Sequence, residues 1–314
     1  MDPGRAALVR PWCTVPADGG SGGTVAVSRA IAAAVFALLC FAANSLLCRM
    51  ALRQPHIDPA SFTSIRLAAG AATLWLIGRA RARRGGTGGS WPSALALIAY
   101  AIAFSFAYLG LTAGTGALLL FGAVQVVMIA TGFFAGERIV AGIVVGWLLA
   151  VAGLVLLLLP GIAAPPPMDA LYMLIAGAAW GVYSLRGRGS TDALADTAGN
   201  FVRAVPVALL ISALLWARRT ADPSGLTLAA LSGSITSGLG YAAWYTALPR
   251  LGAIAAANAQ LSVPVIAALA GVALFGEPIT LRLAVSTVLV LGGTALAVHR
   301  NLALRPSRTQ PRGA

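Results

Sequence analysis

Ala135-Gly136-Glu137-Arg138-Ile139 and Phe275-Gly276-Glu277-Pro278-Ile279 are two places where the chain closes one apolar run on a Gly-Glu pair and opens the next. They stand about 140 residues apart, a separation that reads as a duplicated unit. The apolar runs between them give that unit five membrane helices. An odd unit used twice enters the bilayer in opposite senses, so this count decides the architecture.

Composition fixes the class. Apolar residues make up 59% of the 314 residues and charged residues 10%, with a mean hydropathy of +0.85. An ordinary water-facing surface cannot be built from that material. A helix needs roughly 20 apolar residues to cross about 30 Å of hydrocarbon. Segments of that kind are Ala30–Cys48, Ala60–Gly78, Trp91–Leu111, Thr115–Ala135, Val140–Leu159, Asp169–Leu185, Ala198–Trp216, Leu226–Leu248, Gly252–Phe275 and Thr280–Val298. The expected fold is an all-α integral membrane protein of ten transmembrane helices in two inverted five-helix repeats. Residues 1–29 read as a disordered cytoplasmic tail and 30–163 as the first repeat. A linker at 164–168 follows, then the second repeat at 169–299 and a basic cytoplasmic tail at 300–314.

All 22 basic residues are arginine. With both termini cytoplasmic, the inner loops and tails hold about three times as many as the outer ones, which is the positive-inside bias. The net charge of +13 is thereby accounted for by topology, and no nucleic-acid partner is expected. Ser21 sits in a formal G-x-S-x-G match, yet a nucleophile elbow needs a strand before it and a helix after it. Cys13, Cys40 and Cys48 form neither an even disulfide framework nor a metal spacing,. There is no H-E-x-x-H and no mid-membrane Asp pair or Ser-His-Asp set. No cofactor, metal or enzymatic activity is expected.

Other positions repeat as the Gly-Glu pair does. Arg66 and Arg203 lie early in segments two and seven, Gly116-Ala117 and Gly252-Ala253 open segments four and nine, and Gly153 matches Gly293 late in five and ten. Together with Pro264 ahead of Glu277 and Ala42-Ala43-Asn44-Ser45 in segment one, they make residues 30 to 300 resemble the drug/metabolite transporter superfamily in its EamA type. Val124 departs from that pattern by replacing a proline expected in segment four. The resemblance implies ten helices in inverted repeats and export of metabolites across a bacterial inner membrane. The aromatic residues below make the chain similar to the YddG-type exporters of aromatic amino acids.

Inverted repeats place a substrate near the bilayer midplane, so polar and aromatic residues in mid-helix are the candidates. Segment one offers Asn44 and Ser45. Segment three carries Tyr100, Phe104 and Tyr108 at helical spacing, and segment four Phe121, Gln125 and Met128,. Segment six adds Trp180, Tyr183 and Ser184, segment eight Tyr241, Trp244 and Tyr245, and segment nine Asn258 and Gln260. Rings stack on aromatic or aliphatic bodies, and buried amides bond amino or carboxylate groups. The plainer readings are an interfacial belt for the rings near helix ends and interhelical bonding for the amides.

Arg66 and Arg203 lie within two turns of a helix end, where snorkelling competes with attraction of a substrate carboxylate. Every Asp and Glu falls in a tail, in a loop or at a segment boundary, and so do His56 and His299. A proton-coupled carrier needs a titratable group within the membrane, so downhill export driven by the substrate gradient is expected. The partners expected are the substrate and the lipid bilayer. Ten helices can enclose a cavity in one chain, so no oligomer is required.

Overall fold

The computed structural model describes residues 21–54, 56–80, 88–134, 141–161, 164–187 and 190–303, leaving out the side chains of 21–27, 249–258 and several isolated positions. Eleven α-helices account for most of them: α1 (Ser21–Arg53), α2 (Pro59–Ala80), α3 (Trp91–Ala107), α4 (Ala113–Phe134), α5 (Ala141–Leu158), α6 (Pro167–Gly187), α7 (Ala193–Leu214), α8 (Pro223–Leu231), α9 (Gly240–Gln260), α10 (Ser262–Phe275) and α11 (Leu281–Ala303). A π-helical segment, Ser232–Leu239, joins α8 to α9. Among the described residues there is no strand, only an isolated bridge between Ile57 and Ala221.

Six stretches are long and apolar enough to cross a membrane: Ser28–Arg53, Pro59–Ala80, Ala113–Thr131, Ala141–Leu158, Pro167–Gly187 and Ala193–Leu214. Trp91–Ala107, Ser262–Phe275 and Leu281–Ala297 are shorter apolar helices. Large apolar side chains such as Leu76, Leu210 and Val288 face outward, while Asn44, Thr63, Arg66, Gln125 and Ser237 are buried. This polarity, with multiple apolar helices, is that of a multi-pass membrane protein.

Helix boundaries follow capping chemistry. Asp58, Asp192 and Asp222 accept from the backbone N–H three residues on, at Ser61, Ala195 and Gly225,. Gly276 ends α10 in the left-handed region at φ 64°, and its N–H reaches the Val272 carbonyl at 3.0 Å. Glycine adopts that conformation without strain, which explains the residue before Glu277.

Two boundaries differ from expectation. By sequence, segment eight ends at Leu248 and segment nine opens at Gly252, yet the backbone stays helical from Gly240 to Gln260 and turns at Leu261. Pro249 removes one donor from the ladder, and a single lost bond can kink a helix without ending it. Helix α1 opens at Ser21, ahead of the expected Ala30, because extending a formed helix adds one bond per residue fixed,. Residues 1–20, 304–314 and Glu137 lie outside the described residues.

Packing pairs α5 with α11, α2 with α7, α4 with α10, α3 with α6, and α1 with α9. Helices α5 and α11 meet backbone to backbone. A Cβ on Gly146 would stand 2.4 Å from the Gly293 carbonyl oxygen, and one on Gly293 would stand 2.5 Å from that of Gly146. One turn-pair away, Gly153 faces the Ser286 carbonyl in the same fashion. Gly114 likewise meets Ala268 across the α4/α10 contact, a close approach that small residues permit,.

The loop before α2 is stitched to the loop before α8. Asp58 N–H donates to Thr220 at 2.8 Å, Asp222 N–H donates to His56 at 2.7 Å, and His56 Nδ1 lies 2.6 Å from Asp222 Oδ2. The Gly225 backbone N–H, and then His56, hold the Asp222 carboxyl below its ordinary value of 3.8. Its contribution is present above that value and is lost as pH falls through the lower folded one.

Gly146→Leu is expected to lower stability by about 1–3 kcal/mol through overpacking at the α5/α11 contact. Gly292→Ala, whose added Cβ meets nothing within 4 Å, is expected to be neutral. Thermal unfolding of the purified protein in micelles checks the pair, and equal shifts would refute the close crossing.

Candidate functional site

Four elements, α1, α2, α3 and the π-helical segment, meet around Arg66 of α2 and Asn44 of α1. Arg66 is only 2% exposed. Its Nε donates to Ser237 Oγ at 3.2 Å and its Nη2 to the Tyr100 hydroxyl at 3.0 Å. The guanidinium also lies over the rings of Tyr100 and Phe104, 5.4 and 5.1 Å from their centroids,. Among the described residues its Nη1 has no hydrogen-bond partner. Asn44 Nδ2 reaches the Tyr100 hydroxyl at 3.5 Å, and its Oδ1 accepts from Ser232 at 2.8 Å and Thr236 at 3.2 Å. The π-helical segment supplies the three aliphatic hydroxyls, those of Ser232, Thr236 and Ser237. Its wider turn brings Ser232, Thr236 and Ser237 onto the interior, a common use of such segments.

Around this polar centre runs a chain of rings. Tyr108 at the C-cap of α3 and Phe104 and Tyr100 within it follow one another with centroid separations of 4.8 and 5.4 Å. Tyr100 then contacts Trp180 of α6 at 4.8 Å, and Trp180 stacks on Tyr183 at 5.3 Å. Tyr241 of α9 joins Trp180 to Phe41 and Phe201, and Phe41 in turn contacts Trp244. Each contact falls within the range where aromatic pairs attract beyond their buried area.

Polar bonds tie both ends of the ring chain. At the Tyr108 end, Glu277 accepts from Arg49 Nε at 3.1 Å and from the Ala113 N–H at 2.8 Å. The second contact places a carboxylate at the N-terminus of α4, where the exposed N–H groups favour negative charge. Arg49 Nη1 also donates to the carbonyls of Tyr108 and Leu109, and Arg53 to that of Phe275. At the Tyr183 end, Asn200 Nδ2 donates to the Tyr183 hydroxyl at 3.4 Å while its Oδ1 accepts from the Ser90 N–H at 2.9 Å. Asp196 accepts from the Gly89 N–H at 2.7 Å, and Arg203 Nη1 donates to the carbonyls of Gly88 and Gly199 at 2.7 and 2.9 Å.

Asn44, Tyr100, Phe104, Trp180, Tyr183 and Trp244 therefore lie in one connected cluster. Ser45 is buried one residue from Asn44, and Tyr245 sits half-buried against the same core. Phe121 and Gln125 are buried on α4 but take no part in the contacts above. Gln260 is half-buried at the end of α9, and the side chain of Asn258 lies outside the described residues. Arg66 does not snorkel. It points inward among hydroxyls and rings, which a linear count from the helix end does not reveal. The hydroxyl-rich run Ser232-Gly233-Ser234-Ile235-Thr236-Ser237 inside an apolar segment was the available signal for its partners.

Residues 168–299 match the sequence model of the EamA-like transporter family. Over 275 residues the chain is 51% identical to the uncharacterized protein PA1977 of Pseudomonas aeruginosa, covering 87% of this chain and 96% of that protein. A protein of known crystal structure aligns with a TM-score of 0.57 at 22% identity, over 83% of this chain and 97% of its own. At that identity the likeness speaks for the fold alone.

Tyr100→Phe removes the oxygen shared by Arg66 and Asn44 and leaves a buried guanidinium with one acceptor fewer. It is expected to cost about 1–3 kcal/mol. Tyr172→Phe, whose ring faces Phe106, serves as the control. Comparable unfolding midpoints in the two variants would show that the Tyr100 hydroxyl carries no such bond.

Proposed function

Because the chain belongs to the EamA-like transporter family, in the EamA type of the drug/metabolite transporter superfamily, we propose that it exports small amphipathic metabolites across a bacterial inner membrane. Aromatic and other apolar amino acids are its foremost substrates. The observation that carries this reading is the ring chain around a polar centre, tied at both ends. Rings accept an apolar body, and the hydroxyl and amide groups beside them accept its polar end.

Alternating access between two inverted five-helix halves is the mechanism proposed. Segment eight consists of α8, the π-helical segment and the start of α9, and segment nine of the rest of α9 with α10. Under that numbering α2/α7, α4/α10 and α5/α11 pair segments five apart, and the α3/α6 contact has its counterpart in α1/α9. The two glycine contacts support the same relation. A shift of about 140 residues carries Gly146 facing Gly293 onto Ser286 facing Gly153,. The Arg49–Glu277 tie then lies at the outer end and the Asp196 and Arg203 ties at the cytoplasmic end. Rocking of the halves would break one set while the other holds.

Transport is proposed to be downhill. Among the described residues, Asp58, Asp169, Asp192, Asp196, Asp222 and Glu277 all stand at helix ends or in loops. None lies at mid-depth where its protonation could drive the cycle. A nucleotide-sugar carrier would want several cations at the site. Arg203 is bound to backbone carbonyls, which leaves Arg66 as the central cation among the described residues.

Flux of labelled amino acids in proteoliposomes without an ion gradient tests the reading. Wild type is expected to move phenylalanine or a related amino acid down its gradient, and Trp180→Ala to lower the rate about tenfold through loss of ring contact. Absence of amino-acid flux in folded protein, or stoichiometric proton movement with it, would overturn the proposal.

A further inference from the structure

We propose that Arg66 is the carboxylate receptor of the transport site and restricts its substrates to molecules carrying a carboxylate beside an apolar body. The inference rests on the transporter reading and names the substrate's charged group. Three observations carry it. The guanidinium is buried at 2% exposure. Its two hydrogen-bonded nitrogens meet only neutral oxygens, Ser237 Oγ and the Tyr100 hydroxyl. Its third nitrogen, Nη1, has no hydrogen-bond partner among the described residues.

Among the described residues no carboxylate is paired with it, and three of them are engaged elsewhere. Glu277 holds Arg49 and the Ala113 N–H, Asp196 holds the Gly89 N–H, and Asp222 holds His56. A cation removed from water and left with neutral acceptors and ring faces is under-compensated. Such a group calls for a partner, and a ligand anion is one that would complete it. The planar fork, with one nitrogen already free, matches a carboxylate that accepts two parallel N–H bonds. Tyr100 and Phe104 lie beneath the guanidinium, with Trp180 beside Tyr100. An anion on Nη1 therefore brings its apolar body against rings.

Charge then sets selectivity. A zwitterionic amino acid or an aryl carboxylate is accepted, whereas an amine or an amide of the same shape is refused. The amine meets a like charge, and the amide cannot neutralise the guanidinium. Cationic amphiphiles are excluded on the same ground.

Ligand-induced thermal stabilisation of the full-length protein in nanodiscs, combined with proteoliposome flux, tests the inference. The probes are phenylalanine, phenylacetate, phenylalaninamide and phenethylamine, applied to wild type, Arg66→Met and Arg66→Lys. Wild type is expected to be stabilised by the two carboxylates and not by the amide or the amine. Arg66→Met is expected to weaken carboxylate binding about ten- to hundredfold, the worth of a charged hydrogen bond, with an unfolding midpoint in the absence of ligand no lower than wild type. Arg66→Lys is expected to recover part of the binding. Equal stabilisation by phenylalanine and phenylalaninamide would overturn the inference. So would carboxylate binding retained in Arg66→Met, or a midpoint that falls in that variant while wild type gains nothing from any carboxylate. If phenylacetate binds through Arg66 but wild type moves no amino acid, the amino-acid reading fails and the receptor stands.

Discussion

A guanidinium withdrawn from water must find its hydrogen bonds within the protein, and burial of Arg66 organises the middle of this molecule,. Tyr100 has to turn its hydroxyl toward α2, and the segment before α9 has to present Ser237. Asn44 then takes the hydroxyls of Ser232 and Thr236 while its amide group faces Tyr100. Helices α1, α2 and α3 and the π-helical segment are linked by this one set of bonds. The rings pack around it, since Tyr100 belongs to both the polar set and the aromatic chain.

The ends of the molecule are held differently from its flank. At the Glu277 end one carboxylate joins α1 to α4 and follows directly on α10. At the other end Asp196, Asn200 and Arg203 bind the backbone of residues 88–90. Bonds of this kind exchange for water at modest net cost when the partners separate. The contact of α5 with α11 is made at the backbone, with no side chain between Gly146 and Gly293. It offers few side-chain bonds that could rearrange.

Much of this was legible in the sequence, and the limits have physical causes. The Gly-Glu pair at 276–277 marked a helix boundary in the sequence, and the structure gives the local cause: a left-handed glycine cap and a carboxylate at a helix N-terminus,. The spacing of Tyr100, Phe104 and Tyr108 announced a single face for the same reason. Arg66 was harder. Distance from a helix end is a one-dimensional quantity, whereas inward or outward orientation depends on neighbours far away in the chain. The continuation of α9 past Pro249 was hidden because a proline lowers the stability of a helix without dictating an end,. The π-helical turn left only a run of small and hydroxylic residues, with no period to betray it.

That turn has a consequence for how the ring cluster is encoded. Each residue of an α-helix advances the face by about 100°, so a turn that accommodates one residue more shifts the phase of everything beyond it. Tyr241 and Trp244 follow Ser232–Leu239 directly. Their place in the cluster is therefore written in the hydrogen-bond register upstream as much as in their own identity. A single-residue deletion within that turn would leave both aromatic residues in the sequence, yet rotate them about 100° away from their present contacts. Two sequences of identical aromatic content could differ in which rings meet by one backbone step.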